Sequence, residues 1–415
     1  MSFQTGLSGL SAASQSLDVI GNNIANANTV GMKASTAEFA NIVASAIGAG
    51  GASNSAGIGT SVTTISENFS QGNINITGNS LDVAINGNGF FPVTRSDGTT
   101  AYTRDGEFKL DKNGNIMTNQ GSYLMGYPTD NTGAQVSSTL QKMQLPTTAP
   151  IDAKQTSTIA AEFNLNASAA ATTTTTSATQ FGTSLTAYDP QGVAIPVSLY
   201  FVKNATPNTW DVYTDATAAQ TAVTTNTPAG DFQMTFNPDG SLNTTTPTSP
   251  SVTLQAFSQT GGTDGQGHFS VAIDVSKATQ FGVPFAVSNL TQDGYTSGQY
   301  TGLSIDNKGV ITTTYSNGQT MKNGGMIALS NFRNVQGLAQ IGGGEYLETD
   351  KSGAALNGQP TVGNFGELRS GAVEESNVDL TSELVNMMTA QRNYQANAQT
   401  IKTQDQIMST LVNLR

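Results

Sequence analysis

The last forty residues, SNVDLTSELVNMMTAQRNYQANAQTIKTQDQIMSTLVNLR (376–415), constrain this chain more than any other stretch. From Leu380, alternating steps of four and three reach Leu384, Met387, Gln391, Tyr394, Ala398, Ile401, Asp405, Met408 and Val412. Counting Leu380, eight of these ten positions are apolar or Ala. That spacing predicts a heptad stripe on one long helix. The stretch holds no Pro or Gly, its Ala, Gln, Met and Leu favour helix, and Asp379 or Thr381 can cap its start. About 35 residues at about 1.5 Å each make a rod of about 50 Å. Off the stripe stand Asn, Gln, Ser and Thr, not the alternating Lys and Glu of a solvated surface helix. The rod is therefore expected to pack on more than one side, frayed in an isolated subunit and ordered in an assembly.

Residues 3–27 repeat the pattern. Phe3, Leu7, Leu10, Ser14, Leu17, Gly21 and Ile24 follow the same steps, with Ala13, Val19 and Ile20 beside them and Asp18 as the sole charge. Matching stripes at the two ends predict that the terminal helices pack together. GNNIANANTVGMK (21–33) ends the first helix in residues that tolerate turns and left-handed geometry. Phe39, Ile42, Val43, Ala46 and Ile47 share one face of an expected short helix, and GAGGASNSAGIGT (48–60) reads as a flexible linker.

From about residue 61 the period shortens to that of strands. Leu81, Val83 and Ile85 alternate before an Asn/Gly turn at 86–89 and a second apolar run, the mark of a hairpin. Phe108 and Leu110 lead through DKNGN (111–115) to Ile116 and Met117, a second hairpin. DKNGN imitates the start of a calcium loop, but Ile116 replaces the needed Gly and Ser122 the needed Glu, so it reads as a turn. DPQG (189–192), NPDG (237–240) and DNKG (306–309) punctuate β structure in the same way. Residues 129–180 are rich in Pro, Thr and Ala, including ATTTTTS (171–177), and read as a crossing between domains with exposed strands or loops. Between 181 and 290 come SLTAYD, IPVSLYFV, TWDVYT, FQMTF, VTLQAF and FSVAIDV, the strands of an all-β domain. The style of the first β block returns at 290–362.

The expected fold is mostly β with a terminal α-helical coiled coil, nested so that the chain goes outward and comes back. Residues 1–30 and 372–415 form the helical domain, 31–70 and 360–371 a connector, 71–148 and 290–359 one β domain, and 149–289 an outer β domain. A net charge of −12 without runs of like charge argues against nucleic acid or an anionic membrane surface as partner. No run of eighteen apolar residues predicts a membrane span. The absence of Cys removes disulfides and thiolate chemistry, and the start of the chain lacks the basic and apolar regions of a cleaved secretory signal. His268, the one histidine, lies in the turn-like GTDGQGHFS, and no nucleophile elbow or phosphate loop accompanies it. No enzyme activity, cofactor or metal site is expected.

SGLSAASQSLDVIGNNIANANTVGMK (8–33), NSLDVAINGNGFF (79–91), YTRDGEFKLDKNGNIMTNQGSYLMGY (102–127) and the tail from NFGELRSGAVEESNVDL onward resemble the rod and hook family of axial proteins of the bacterial flagellum. The resemblance covers the whole chain, weakest over 149–289, and within the family the length and tail resemble the hook subunits. It implies export without cleavage through the flagellar type III apparatus to an extracellular site. It also implies self-polymerisation below a hook cap, contacts with rod and hook–filament junction proteins, and a curved tube that serves as a universal joint. Terminal helices of the family line the inner tube. Carried onto this chain, Phe3, Leu7, Leu10, Leu17, Ile24, Leu380, Leu384, Met387, Tyr394, Ile401, Met408 and Val412 are the expected subunit-packing seam. A distal rod subunit or a hook cap is the alternative within the family. A secreted adhesin would explain the Thr-rich β region but not the paired heptads.

Overall fold

The computed structural model describes residues 2–43, 57–146, 150–171, 181–225, 230–255 and 268–413. Helix α1 spans Ser2–Ala25, α2 Ala216–Thr225 and α3 Leu380–Asn413; the other described elements are strands and one 3-10 turn. Two compact units divide the chain. One comprises residues 1–148, 301–314 and 320–415, the other 149–300 and 315–319.

In the first unit, strands from the outgoing and returning halves of the chain pair with each other. Ile74–Ile76 lies antiparallel to Ala372–Glu374, Val83–Asn86 to Glu367–Ser370, and Thr100–Thr103 to Glu345–Leu347. A nine-stranded sheet is built around Phe91–Thr94 and Tyr123–Tyr127. Val83, Phe91, Val93, Phe108, Ile116, Leu124, Ile311 and Ile327 fill the core beneath it. The DKNGN turn joins the paired strands Phe108–Leu110 and Ile116–Thr118, with Asp111 Oδ1 accepting from the N–H of Asn113 and Asn115 at 2.8 Å each. Asp189 and Asp306 accept from residues two and four ahead in the same way. A short carboxylate that ties its own turn is the physical reason these motifs recur between strands.

Two local expectations fail. Val83–Asn86 and Phe91–Thr94 do not pair as a hairpin. The first joins Glu367–Ser370 and the second joins Thr100–Thr103 and Tyr123–Tyr127. Both faces of Val83–Ile85 are buried, so its best partner is a strand some 280 residues away in sequence rather than its neighbour. The short helix expected near Phe39 is instead strand β1 (Ser35–Val43), antiparallel to β2 (Gly57–Glu67). Ala46, Ile47 and most of the expected 48–60 linker lie outside the described residues, and residues 57–60 belong to β2.

The second unit is a sandwich of two five-stranded sheets. One is an antiparallel succession of Gly182–Tyr188, Ala194–Lys203, Thr209–Tyr213, Phe232–Phe236 and Leu242–Thr246. The other holds Thr158–Asn166 between His268–Asp274, Thr279–Phe281 and Ala286–Gln292, with Ser251–Gln255 at the edge. Ile159, Phe163, Leu165, Leu199, Phe201, Trp210, Phe232 and Ile273 from both sheets share one core. Period-two alternation is why: Ile159, Ala161, Phe163 and Leu165 point inward while the residues between them do not. His268 opens a strand, and its side chain lies outside the described residues.

Candidate assembly interface

α1 and α3 run antiparallel. Asn23 Nδ2 stands 3.5 Å from Glu383 Oε1, a Cβ on Gly9 would meet the Asn397 amide at 2.9 Å, and one on Gly6 would meet Ile401 Cγ1 at 3.0 Å. Gly6, Gly9, Ala13, Ser16, Ile20 and Asn23 thus turn toward α3, again in steps of three and four. Glu383, Ala390, Asn397 and Ile401 answer from α3. Small side chains allow the two backbones a close approach, and Ala13 and Ala390 are buried where they meet. Another face of α1 lies on the β1–β2 hairpin, where Ser8 Oγ accepts from the Thr60 N–H at 3.3 Å.

The expected α1 stripe is therefore one residue, about 100° of helix, away from the positions that touch α3. Phe3 and Leu7 are about half exposed, at 50% and 52%, and Leu10, Leu17 and Ile24 are partly buried. On α3, Leu380, Leu384 and Met408 are exposed and Tyr394 is 37% exposed. Met387 and Ile401 are partly buried, and Ile401 is shared by the expected stripe and the contact with α1. The Val412 side chain lies outside the described residues. Side-chain size was the missed signal: Gly and Ala look neutral in a hydrophobic stripe, yet they decide which faces come closest.

Below the helix pair sits a buried knot of charge. Glu374 accepts from Lys33 Nζ at 2.6 Å and from Arg104 Nη1 at 3.0 Å, and all three side chains are at most 5% exposed. Lys33 also donates to Ser70 O at 2.8 Å, Arg104 Nη2 to Gly87 O at 2.9 Å, and the Gly72 N–H to Glu374 Oε1 at 2.8 Å. Gly31 makes the approach possible. Its φ is +70°, and a Cβ there would lie 2.6 Å from the Arg104 carbonyl carbon. Burial lowers the Lys33 pKa against the opposing pull of Glu374. Asn23 exchanges two hydrogen bonds with the Ser35 backbone, and Asn377 Oδ1 accepts from the Ala34 N–H at 2.8 Å. Asp379 starts α3 by accepting from the Thr381 N–H at 2.8 Å, and the N–H groups of Ser382 and Thr381 hold its carboxyl below the ordinary range.

These residues tie the bases of both helices to the β material. Lys33 and Glu374 are 341 positions apart, so spacing could not have paired them. The available signal was scarcity: at 11% charged residues, a Lys set among apolar and amide neighbours must find a partner. Among the described residues no group of acidic or histidine side chains is placed to hold a metal ion, and no helix is long and apolar enough to cross a membrane.

The helix pair leaves apolar side chains exposed along both helices, and known proteins match along the length of the chain. Residues 3–33 match the family described as flagella basal body rod protein, and 84–170 the flagellar hook protein FlgE/F/G D1 domain. Residues 164–295 match the flagellar basal body protein FlaE D2 domain, and 369–414 the flagellar basal body rod FlgEFG protein C-terminal family. The flagellar hook protein FlgE of Salmonella typhimurium is 41% identical over 433 aligned residues, covering 100% of both chains. That of Escherichia coli is 40% identical, again over 100% of both, and that of Rhizobium meliloti 32% identical over 99% of this chain and 98% of its own. A solved structure, the hook protein FlgE2 of Helicobacter pylori, shares 14% identity at a TM-score of 0.49, covering 71% of this chain and 98% of its own.

Proposed function

The chain belongs to the flagellar hook protein family as a structural subunit of the hook, and from that premise we propose that its two terminal helices build the wall of the tube. The family self-assembles into the flagellar hook, and its place is the hook and basal body. Residues 1–30 and 372–415 are the tube-building domain in this reading. The subunit leaves the cell uncleaved through the type III apparatus, adds below a cap, and meets rod and junction proteins at the two ends of the tube. Its work is mechanical, with no catalytic step.

One observation carries the proposal. Phe3 and Leu7 on α1, and Leu380, Leu384, Val385 and Met388 on α3, remain between 43% and 52% exposed although the two helices already pack on each other. Apolar stripes left open on a paired helix supply the driving force for association. The expected seam residues Leu10, Leu17, Ile24, Met387, Tyr394, Ile401, Met408 and Val412 extend those stripes along both helices. The buried Lys33–Glu374–Arg104 knot supports the reading as well, since force passed along the helices would reach the β material through it.

Negative-stain microscopy of the purified, polymerised chain tests this. Short curved tubes of uniform width are expected from the wild type. Leu384→Asp should abolish them, and normal tubes from that variant would overturn the assignment of the stripe.

A further inference from the structure

Charge is scarce on the helix pair: Asp18 alone on α1, and Glu383, Arg392, Lys402 and Asp405 on α3. At about 100° per residue, Asp18 stands nearly opposite the positions of α1 that face α3. It opens on a groove of 560 Å³ lined by Gln15, Val19 and Asn22 of α1, Val62 and Ile65 of β2, and Gln340. Ile65 is 54% exposed there. On the far side of α3, turned away from α1, Val385, Met388 and Arg392 form one ridge at spacings of three and four. Val385 and Met388 are each 52% exposed, and Arg392 is exposed too.

The two features lie at the same height. Asn23 is level with Glu383 and Gly9 with Asn397, so the groove at residues 15–22 is level with about 384–391 of α3. One flank of the pair thus has a groove in which Asp18 stands beside Val19, Val62 and Ile65 among Ser35 and amide side chains, and the other has a ridge in which Arg392 stands beside Val385 and Met388.

We propose that the α1–β2 groove of one copy receives the Val385–Met388–Arg392 ridge of a second copy. Arg392 then meets Asp18, and Val385 and Met388 cover Val19, Val62 and Ile65. This deepens the hook-subunit reading and rests on it. Because the two patches differ, the contact is heterologous, so it can repeat from copy to copy along an open helical array of the kind the hook reading requires. With so few charges present, the ion pair sets register and excludes wrong alignments more than it adds affinity.

Charge exchange in the full-length chain tests it, with polymerisation followed by light scattering and microscopy. Asp18→Arg and Arg392→Asp should each raise the concentration needed for tube growth by about tenfold, as like charges meet. Combining them should return it to within about threefold of the wild type. Both side chains are exposed, so the unpolymerised variants should keep wild-type circular dichroism and melting. Wild-type tubes together with unaffected single variants, or a double variant no better than the singles, would overturn the pairing while leaving the hook reading intact. Absence of tubes from the wild type would overturn both.

Discussion

The sandwich of the second unit and the α1–α3 pair use apolar side chains in opposite ways. On Thr158–Asn166 every inward residue is at most 2% exposed, and partners from both sheets close over it. Along α3, Leu384, Val385, Met388 and Met408 are all more than half exposed, and among its described residues only Ala390 is buried. Within one chain the sandwich satisfies its pattern and the helix pair does not. Strands that bury their inward residues against each other hold a unit together unaided, whereas apolar stripes left open give the helix pair a stability that depends on neighbours.

The contrast would break first at the sandwich core. Trp210 is fully buried, edge-on to Phe181 with ring centroids 5.7 Å apart. Trp210→Ala should cost about 3–5 kcal/mol in urea unfolding of the unpolymerised full-length chain, because the cavity opens inside a closed core. A loss below about 1 kcal/mol would mean that the sandwich is no more self-sufficient than the helices.

The same contrast explains how far residues alone could lead. Thr158–Asn166, the sandwich strand in which a one-residue slip would turn Phe163 and Leu165 into solvent, lies in the stretch expected as a crossing between domains. The Ala and Thr around it hide the period, whereas the strands beyond residue 181 were legible. The DKNGN, DPQG and DNKG turns were equally legible, because Asp ties a turn through neighbours two and four residues on. On α1 and α3 apolar residues extend over more than one face, so periodicity found the helices and their mutual packing but not which face meets which. The hairpin expected at 81–93 failed and the Lys33–Glu374 pair stayed hidden because each depends on a segment distant in the chain, which local pattern does not report. The helix expected near Phe39 failed because Ser35–Val43 pairs with the next strand, Gly57–Glu67.

Buried charge sharpens the comparison at a smaller scale. The charges of the helix pair lie mostly at its surface, whereas Asp105 is only 8% exposed and faces Glu107, Asp82 and Glu345. Burial, reinforced by those like charges, pushes its pKa from 3.8 up to about 6. Between those values the folded chain keeps a proton that the unfolded chain has lost, so this group's contribution to stability falls as pH rises from 4 to 6, and the full cost stands above 6. Asp105→Asn retains an oxygen for the Glu107 N–H at 2.9 Å and removes the charge. It should stabilise the chain by about 2–3 kcal/mol at pH 7 and by less than about 1 kcal/mol at pH 4. Urea midpoints of the two proteins at both pH values measure the difference, and a gain equal at the two would show that charge is not the cause.

The smallest effect on the isolated subunit discriminates best. Leu384 is 51% exposed and belongs to the open stripe, while Ala390, six residues on, is 6% exposed against α1. If the stripe has no partner within the chain, Leu384→Asp should change unfolding of the unpolymerised protein by no more than about 0.5 kcal/mol, the ordinary range for a surface substitution. Ala390→Asp places a carboxylate against Ala13 and Ser16, and should release amide protons of both helices to exchange with solvent. Hydrogen exchange on the two variants therefore separates the face used within the subunit from the face kept for assembly. Equal deprotection by both substitutions would mean that the helix pair behaves as one undivided core, and the contrast with the sandwich would then be one of degree.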